Sequence, residues 1–351
     1  VTADPFAQLF RSSAELFVQS LDVAGDRLLV ARMAEADYAG ASFLDQRILT
    51  QDRPCQWFGW EDLERLSGSL PATARHIFHI GHVGSTLISR LLGELPDVLA
   101  VREPVLLRGL ADLRRIRGRP ESAWSPQRFD ARVGMALGWL SRTFRPEQRA
   151  IVKATSFVSD LAPEILAAGQ KALFLFVKPE SYLPTILAGE ASMQELAVWS
   201  PTRLLRLHAR IGAEPWRLWE MSPGERVALG WACEMAALEE AGAGAAEGQA
   251  LWMDFDGFLA DPAASLARIA AHFGAPLAME QAQALVGGPI MSRYSKAPEH
   301  GYSPQLRRDV LAQAMRDQAG EIARGQRWLA EAGRQYPLIA RALDRAAQGV
   351  H

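Results

Sequence analysis

The chain has 351 residues, nearly half of them apolar (49%), enough to build one large α/β domain or two smaller ones around a sizeable core. A formal net charge of −2 gives no overall basic field of the kind that draws a protein to nucleic acid or to an acidic membrane surface. Two cysteines far apart in sequence, Cys55 and Cys233, supply neither a disulfide framework nor a zinc site, and a reducing compartment is the default.

The first residues, Val1-Thr2-Ala3-Asp4-Pro5, have no basic stretch followed by an apolar one, so they do not read as a signal peptide, although there is no initiator Met. Apolar runs such as 172–177 fall far short of the ~20 residues a membrane helix needs. A cytoplasmic protein with no membrane or nucleic-acid partner is expected. Residues 1–74 form a mixed segment, packed on or capping the core; 28–33 can be a strand, and 57–66 a turn running into a short helix.

From Arg75 onward strands and helices alternate, which predicts a parallel sheet in a second unit, 75–351, ending in a helical tail. Expected strands are 77–80, 98–101, 150–153, 172–177 and 250–253, with helices over 104–115, 130–143, 201–211 and 224–241. Asp261 is placed to cap a helix that begins at Pro262, carries Leu266, Ile269, Ala270 and Phe273 on one face, and stops at Gly274.

The most informative stretch comes directly after the first of these strands. Ile77, Phe78 and Ile80 lead into Gly81-His82-Val83-Gly84-Ser85-Thr86, and Leu87, Ile88, Leu91, Leu92 and Leu95 then recur at helical spacing. A glycine loop ending at a helix start presents unpaired N–H groups and a positive dipole end, and so forms an anion site. A nucleotide-hydrolysing loop would carry Lys before the hydroxyl residue, and none precedes Ser85; His82 is the one ionisable side chain in the loop. The plain alternative is an ordinary strand-to-helix turn.

In an open parallel sheet ligands bind beyond the carboxyl ends of the strands. Charged side chains stand at several of those ends: Glu103 after the second strand, Lys153 at the end of the third, Lys178 after the fourth, and Asp254 and Asp256 after the fifth. Glu103 could instead be a solvated carboxylate or pair with Arg102 or Arg108, and Lys153 could snorkel off the sheet edge. The two aspartates are expected to serve turns and caps. Trp199, Trp216, Trp219, Trp231 and Trp252 could line an apolar pocket, but packing between helices is the commoner use and is expected here.

In order and type these segments resemble the sulfotransferases that use 3′-phosphoadenosine 5′-phosphosulfate (PAPS), over about 75–303. Their phosphosulfate loop runs strand, Lys or Arg-Ser-Gly-Thr or Ser-Thr or Ser, helix. Gly84-Ser85-Thr86 fits the last part, while His82 stands where Lys or Arg is usual and Val83 where Ser is usual. The Asp261–Gly274 unit resembles the family's last core segment. The resemblance implies an α/β fold of P-loop type, three layers α/β/α with a parallel central sheet and helical additions. It implies transfer of a sulfuryl group from PAPS to a hydroxyl or amine of a small-molecule acceptor, with no metal required.

On the same basis Gly81, His82, Val83, Gly84, Ser85 and Thr86 hold the donor's 5′ end, and Glu103 is the base that takes the acceptor's proton. His82 and Lys153 assist at the transferred group and the bridging oxygen, and Lys178 with Ser181 or Thr185 takes the 3′-phosphate. Arg293 and Lys296, in a polar stretch with His300, close the site. Two other functions compete. A small-molecule kinase would need magnesium and a γ-phosphate contact, and a nucleotide-binding relative without turnover is suggested by the missing loop Lys and 3′-site Arg.

Overall fold

The computed structural model describes residues 4–292 and 304–349. In chain order the elements are α1 (Pro5–Ser12), β1 (Leu16–Asp22), β2 (Arg27–Arg32), α2 (Glu35–Gly40), β3 (Cys55–Gly59), α3 (Trp60–Ser67), β4 (Arg75–His79), α4 (Ser85–Gly93), β5 (Val98–Arg102), α5 (Val105–Arg115), α6 (Pro126–Leu140) and β6 (Arg149–Lys153). Next come α7 (Ala162–Ala167), β7 (Ala172–Phe176), α8 (Pro179–Ala188), α9 (Glu190–Ile211), α10 (Pro223–Ala243), β8 (Ala250–Asp254), α11 (Phe255–Ala260), α12 (Pro262–Phe273), α13 (Met279–Val286), α14 (Pro304–Asp317), α15 (Ala319–Gln335) and α16 (Pro337–Gln348).

Five short strands, each almost wholly buried, make a parallel sheet in the order β5-β6-β4-β7-β8. Strands covered on both faces read as continuous apolar runs, which is why all five expected strands are found, each within two residues of its expected bounds. The chain leaves β4 for β5 and β6 on one side, then crosses to β7 and β8 on the other. The loop after β4 therefore lies at the point where the strand order reverses, the usual ligand crevice of such sheets.

Helices flank the sheet in a three-layer α/β/α arrangement. One group joins α4, α12 and α13; another gathers α7, α8, α9, α15 and α16 around α10. Fifteen of the 21 residues of α10 are buried, including Trp231, and a helix so apolar on every side can only be a core helix. Asp261 caps α12 through the Ala264 N–H, and Gly274 ends it at φ +77°. No described helix is long and apolar enough to cross a membrane.

Several bounds differ from the sequence reading. The helix expected from Pro201 begins at Glu190 and carries Pro201 inside it. Proline normally marks a helix start, and here it masked eleven residues of helix before it. The helix expected over 130–143 starts at Pro126, capped by Ser125, and ends at Leu140. Residues 55–59 are a strand rather than a turn.

The first part of the chain forms an antiparallel sheet, β1-β2-β3, whose buried face joins the same hydrophobic cluster as the parallel sheet. Core guanidiniums tie α1, the start of β1 and the end of α2 to the rest of the molecule. Arg102, 2% exposed, donates to the carbonyls of Tyr38, Ala39 and Ala41, and Arg142 donates to those of Phe10 and Leu16. Hydrogen bonds from charged groups are among the stronger kind.

His76, at the start of β4, is fully buried, and neither ring nitrogen has a partner among the described residues. Burial pushes the imidazole down from 6.5 to about 3. The unfolded chain therefore takes up a proton near 6.5 that the folded chain refuses until about 3, so stability is full above 6.5 and falls below it. His76→Leu is expected to reduce the loss of unfolding free energy between pH 7 and pH 5 by about 2 kcal/mol, read from urea titrations at both pH values. Equal losses in the two proteins would refute the account.

Candidate functional site

The loop after β4 is held by a residue that the sequence reading passed over. His79 Nε2 lies 2.8 Å from the Ala154 carbonyl, and its Nδ1 accepts the Gly81 N–H at 3.0 Å. This pairing requires the tautomer with hydrogen on Nε2, and it ties the start of the loop to the end of β6. A polar side chain closing the apolar run Ile77-Phe78, two residues before a glycine, was the available signal.

Gly81 and Gly84 have φ of +87° and +69°, a region that favours glycine. At Gly81 the nearest atom to an added Cβ would be Ser156 Oγ, 3.9 Å away, whereas at Gly84 it would stand only 2.0 Å from Cε2 and 2.1 Å from Cζ of Phe255. Gly84→Ala is thus expected to cost about 3 kcal/mol or more, and Gly81→Ala only the backbone strain of about 1–2 kcal/mol. Urea unfolding of the two variants checks the order; a Gly84 variant no worse than the Gly81 variant would contradict it.

Helix α4 begins after Gly84 with no side chain capping its first turn. Ser85 and Thr86 are buried there, and the Thr86 hydroxyl has no partner among the described residues. Uncapped amides and an orphaned buried hydroxyl suit an oxyanion. Val83 is fully buried and serves packing.

His82 also takes a left-handed backbone, φ +55°. Its Nε2 is 3.5 Å from Glu195 on α9. From Glu195 charged contacts run inward through Arg203 (3.5 Å), Glu234 (3.5 Å), Arg206 (2.7 Å) and Asp160 (2.9 Å), which also binds Arg115 and Arg210. The loop imidazole thus stands at the partly exposed end of a buried ion-pair chain.

Glu103 follows β5 at φ +52°, and its carboxylate pairs with the ammonium of Lys153, which is wholly buried. The Glu103 N–H donates to the Lys153 carbonyl, continuing the β5–β6 ladder by one residue. Neither alternative partner takes the carboxylate: Arg102 turns to backbone carbonyls, and Arg108 stacks on aromatic rings. Among the described non-glycine residues, left-handed backbone occurs at His82, Glu103 and Asp26 alone, at about 1–2 kcal/mol each. Two of these three are candidate site residues at the same sheet edge. From the N-terminal segment the Phe43 ring lies 5.6 Å from Lys153 Nζ, and Arg47 stacks on that ring at 4.2 Å.

On the other side of the loop, Lys178 precedes α8, and α8 meets the end of β4 through Tyr182, whose hydroxyl lies 3.4 Å from the Ile80 carbonyl. Ser181 donates to Asp256 at 2.5 Å, and Thr185 donates to the Ser181 carbonyl at 2.6 Å. Asp256 in turn binds Arg307 of α14 at 2.8 Å. A phosphate bound by Ser181 would have to displace Asp256. Asp254 caps α11, and burial pushes its carboxyl up. Arg293, Lys296 and His300 lie outside the described residues. Among those described, no three His, Cys, Asp or Glu side chains are grouped to hold a metal.

The edge of the sheet therefore carries, across β5-β6-β4-β7-β8, a carboxylate, a buried ammonium, a glycine loop, an ammonium and two carboxylates. Glu195, Phe43 and Arg47 join this set only through tertiary contact.

No family model matches the sequence, and no curated protein does. The fold is similar to solved structures of sulfotransferases. One is a sulfotransferase domain from the curacin biosynthetic pathway, 14% identical with a TM-score of 0.40, covering 74% of this chain and 96% of that one. A second is a sulfotransferase from Alicyclobacillus acidocaldarius, 17% identical with a TM-score of 0.34, covering 72% and 94%. A third is retinol dehydratase in complex with androsterone and the inactive cofactor PAP, 16% identical with a TM-score of 0.35, covering 75% and 81%.

Proposed function

We propose that the chain transfers a sulfuryl group from PAPS to a hydroxyl or amine of a small-molecule acceptor. The observation that carries this reading is that one end of the sheet bears both an uncapped glycine loop, with the unpartnered Thr86 hydroxyl, and the strained Glu103 with its buried partner Lys153. A sulfuryl group carries less charge than a phosphoryl, so the helix amides with His82 in place of a lysine are chemically sufficient to hold it.

PAPS supplies the sulfuryl group: its sulfur bonds to the acceptor oxygen or nitrogen as the bond to the bridging oxygen breaks. The residues of this chain do the rest. The amides of 84–86, with Thr86 and His82, orient and neutralise the sulfuryl oxygens. Glu103 takes the acceptor's proton, and Lys153 offsets charge on the departing bridging oxygen. Lys178 faces the nucleotide's phosphate end as a point charge, with Ser181 and Thr185 beside it.

A small-molecule kinase is the second reading, on the strength of Asp254 and Asp256 after β8, and a nucleotide-binding relative without turnover is the third. Calorimetric titration with 3′-phosphoadenosine 5′-phosphate (PAP), beside ATP with magnesium, separates them. Binding of PAP alone is expected; binding of ATP–magnesium alone would favour the kinase, and binding of neither would refute a nucleotide site. PAP binding with no transfer to any acceptor would select the third.

A further inference from the structure

Helix α5 leads away from Glu103 and carries three arginines, 108, 114 and 115. Arg114 pairs with Glu164 at 2.9 Å and Arg115 with Asp160 at 2.9 Å. Arg108 differs. It is half-buried, yet it has no carboxylate or carbonyl partner among the described residues. Its guanidinium instead lies over the ring of Trp199, 4.6 Å from the centroid, and 5.8 Å from that of Phe157.

Those two rings pack on each other at 4.6 Å. Stacking engages the flat face of a guanidinium and leaves its N–H donors free in the plane. The aromatic pair thus orients a fork of donors that has no acceptor of its own. These donors are open to solvent on a partly buried side chain, and an oxyanion with two parallel acceptor atoms is their natural complement.

The place of this fork is set by contacts already described. Phe157 comes four residues after Lys153, and Arg203 lies 5.1 Å from its ring. Arg203 binds Glu195, which reaches His82. Trp199 lies one helical turn beyond Glu195 on α9, a rise of about 6 Å. Arg108 therefore sits on the helix that follows Glu103 and lies against α9, whose Glu195 reaches His82.

We infer that Arg108 is a specificity-determining residue that recognises an oxyanion, a carboxylate or a phosphate, on the acceptor molecule. The acceptor is then a hydroxy or amino compound that carries a negative charge away from its nucleophilic atom. This inference rests on the sulfuryl-transfer reading for the word acceptor, but the anion site itself can be tested separately.

The test titrates benzoate, phenyl phosphate and the neutral benzamide into the full-length protein, with and without saturating PAP, by calorimetry. Wild type is compared with Arg108→Gln and with Arg108→Lys, which keeps the charge without the fork. The expected result is at least tenfold tighter binding of an anion than of benzamide. That preference should vanish in Arg108→Gln and be weakened in Arg108→Lys, with PAP affinity unchanged. The tighter of the two anions identifies the group recognised.

Equal binding of benzoate, phenyl phosphate and benzamide, or an anion preference that survives Arg108→Gln, would overturn the inference. Melting curves of both variants keep loss of fold apart from loss of the site. If PAP fails to bind while the Arg108-dependent preference persists, the transfer reading falls and the anion site stands. If PAP binds and no preference exists, the reverse holds.

Discussion

Replacing Glu103 with Gln is expected to lower the conversion of PAPS to PAP in the presence of an accepted hydroxyl compound by about 10²–10⁴-fold, the usual contribution of a positioned general base. Gln keeps the length of the side chain and an oxygen that can accept from Lys153, so the pairing geometry at the end of β6 is preserved in outline. What it loses is the capacity to take a proton. Affinity for PAP should therefore stay within about twofold, because no loop contact is touched. Glu103→Ala is the informative companion. It leaves a wholly buried ammonium without its carboxylate, at a cost of about 3–5 kcal/mol, and should lower stability as well as turnover. A Gln variant that turned over within threefold of wild type would remove the base assignment. One that lost PAP binding would make Glu103 a support for the loop instead.

A comparably large effect on stability is expected at Asp160. This carboxylate, 3% exposed, accepts hydrogen bonds from Arg115, Arg206 and Arg210. Burial alone would push its carboxyl up; the guanidiniums of Arg206 and Arg210, with their hydrogen bonds and that of Arg115, outweigh it and hold the carboxyl well below 3.8. Asp160→Asn keeps the shape and removes the charge that compensates these guanidiniums. Glu234 still pairs with Arg206, which bounds the damage. A loss of about 3–5 kcal/mol at pH 7 is expected from urea unfolding.

The pH dependence carries a sign. A carboxyl with a depressed folded pKa contributes its stability above 3.8 and loses it as pH falls below that value. The gap between wild type and Asp160→Asn should therefore narrow in acid. A loss below about 1 kcal/mol at pH 7, or a gap that widened in acid, would show that the chain of ion pairs adds little.

Much of the framework was legible because it depends on short-range patterns. Buried strands such as Phe174–Phe176 betray themselves as apolar runs between turn signals, and the Asp261–Gly274 helix carries its own start and stop. The loop was legible because two glycines, two hydroxyls and an apolar helix face are all local. The strand Cys55–Gly59 was not: its first three residues are exposed, so no alternation marks it. The first half of α9 was hidden by Pro201. The ties that complete the site were beyond sequence reasoning for a different reason. Glu195 meets His82 across more than a hundred residues, and Arg108 finds Trp199 rather than Glu103, because packing and not spacing decides which side chains meet.

The guanidinium ties between the core and the first part of the chain have a consequence for biosynthesis. When residues 1–74 have left the ribosome, β1, β2 and β3 have only α1 and α3 beside them, through contacts such as Phe6 on Phe58; α5 and α6, which pack on β1, have still to emerge. Arg102, which holds Tyr38, Ala39 and Ala41, and Arg142, which holds Phe10 and Leu16, have still to emerge. So has Thr143, whose carbonyl accepts the Ala14 N–H at 3.1 Å. At about 5–20 residues per second, several seconds separate the two events. The nascent chain must keep an open-edged, apolar meander from self-association over that interval, so the early part of translation is where this protein most needs a chaperone.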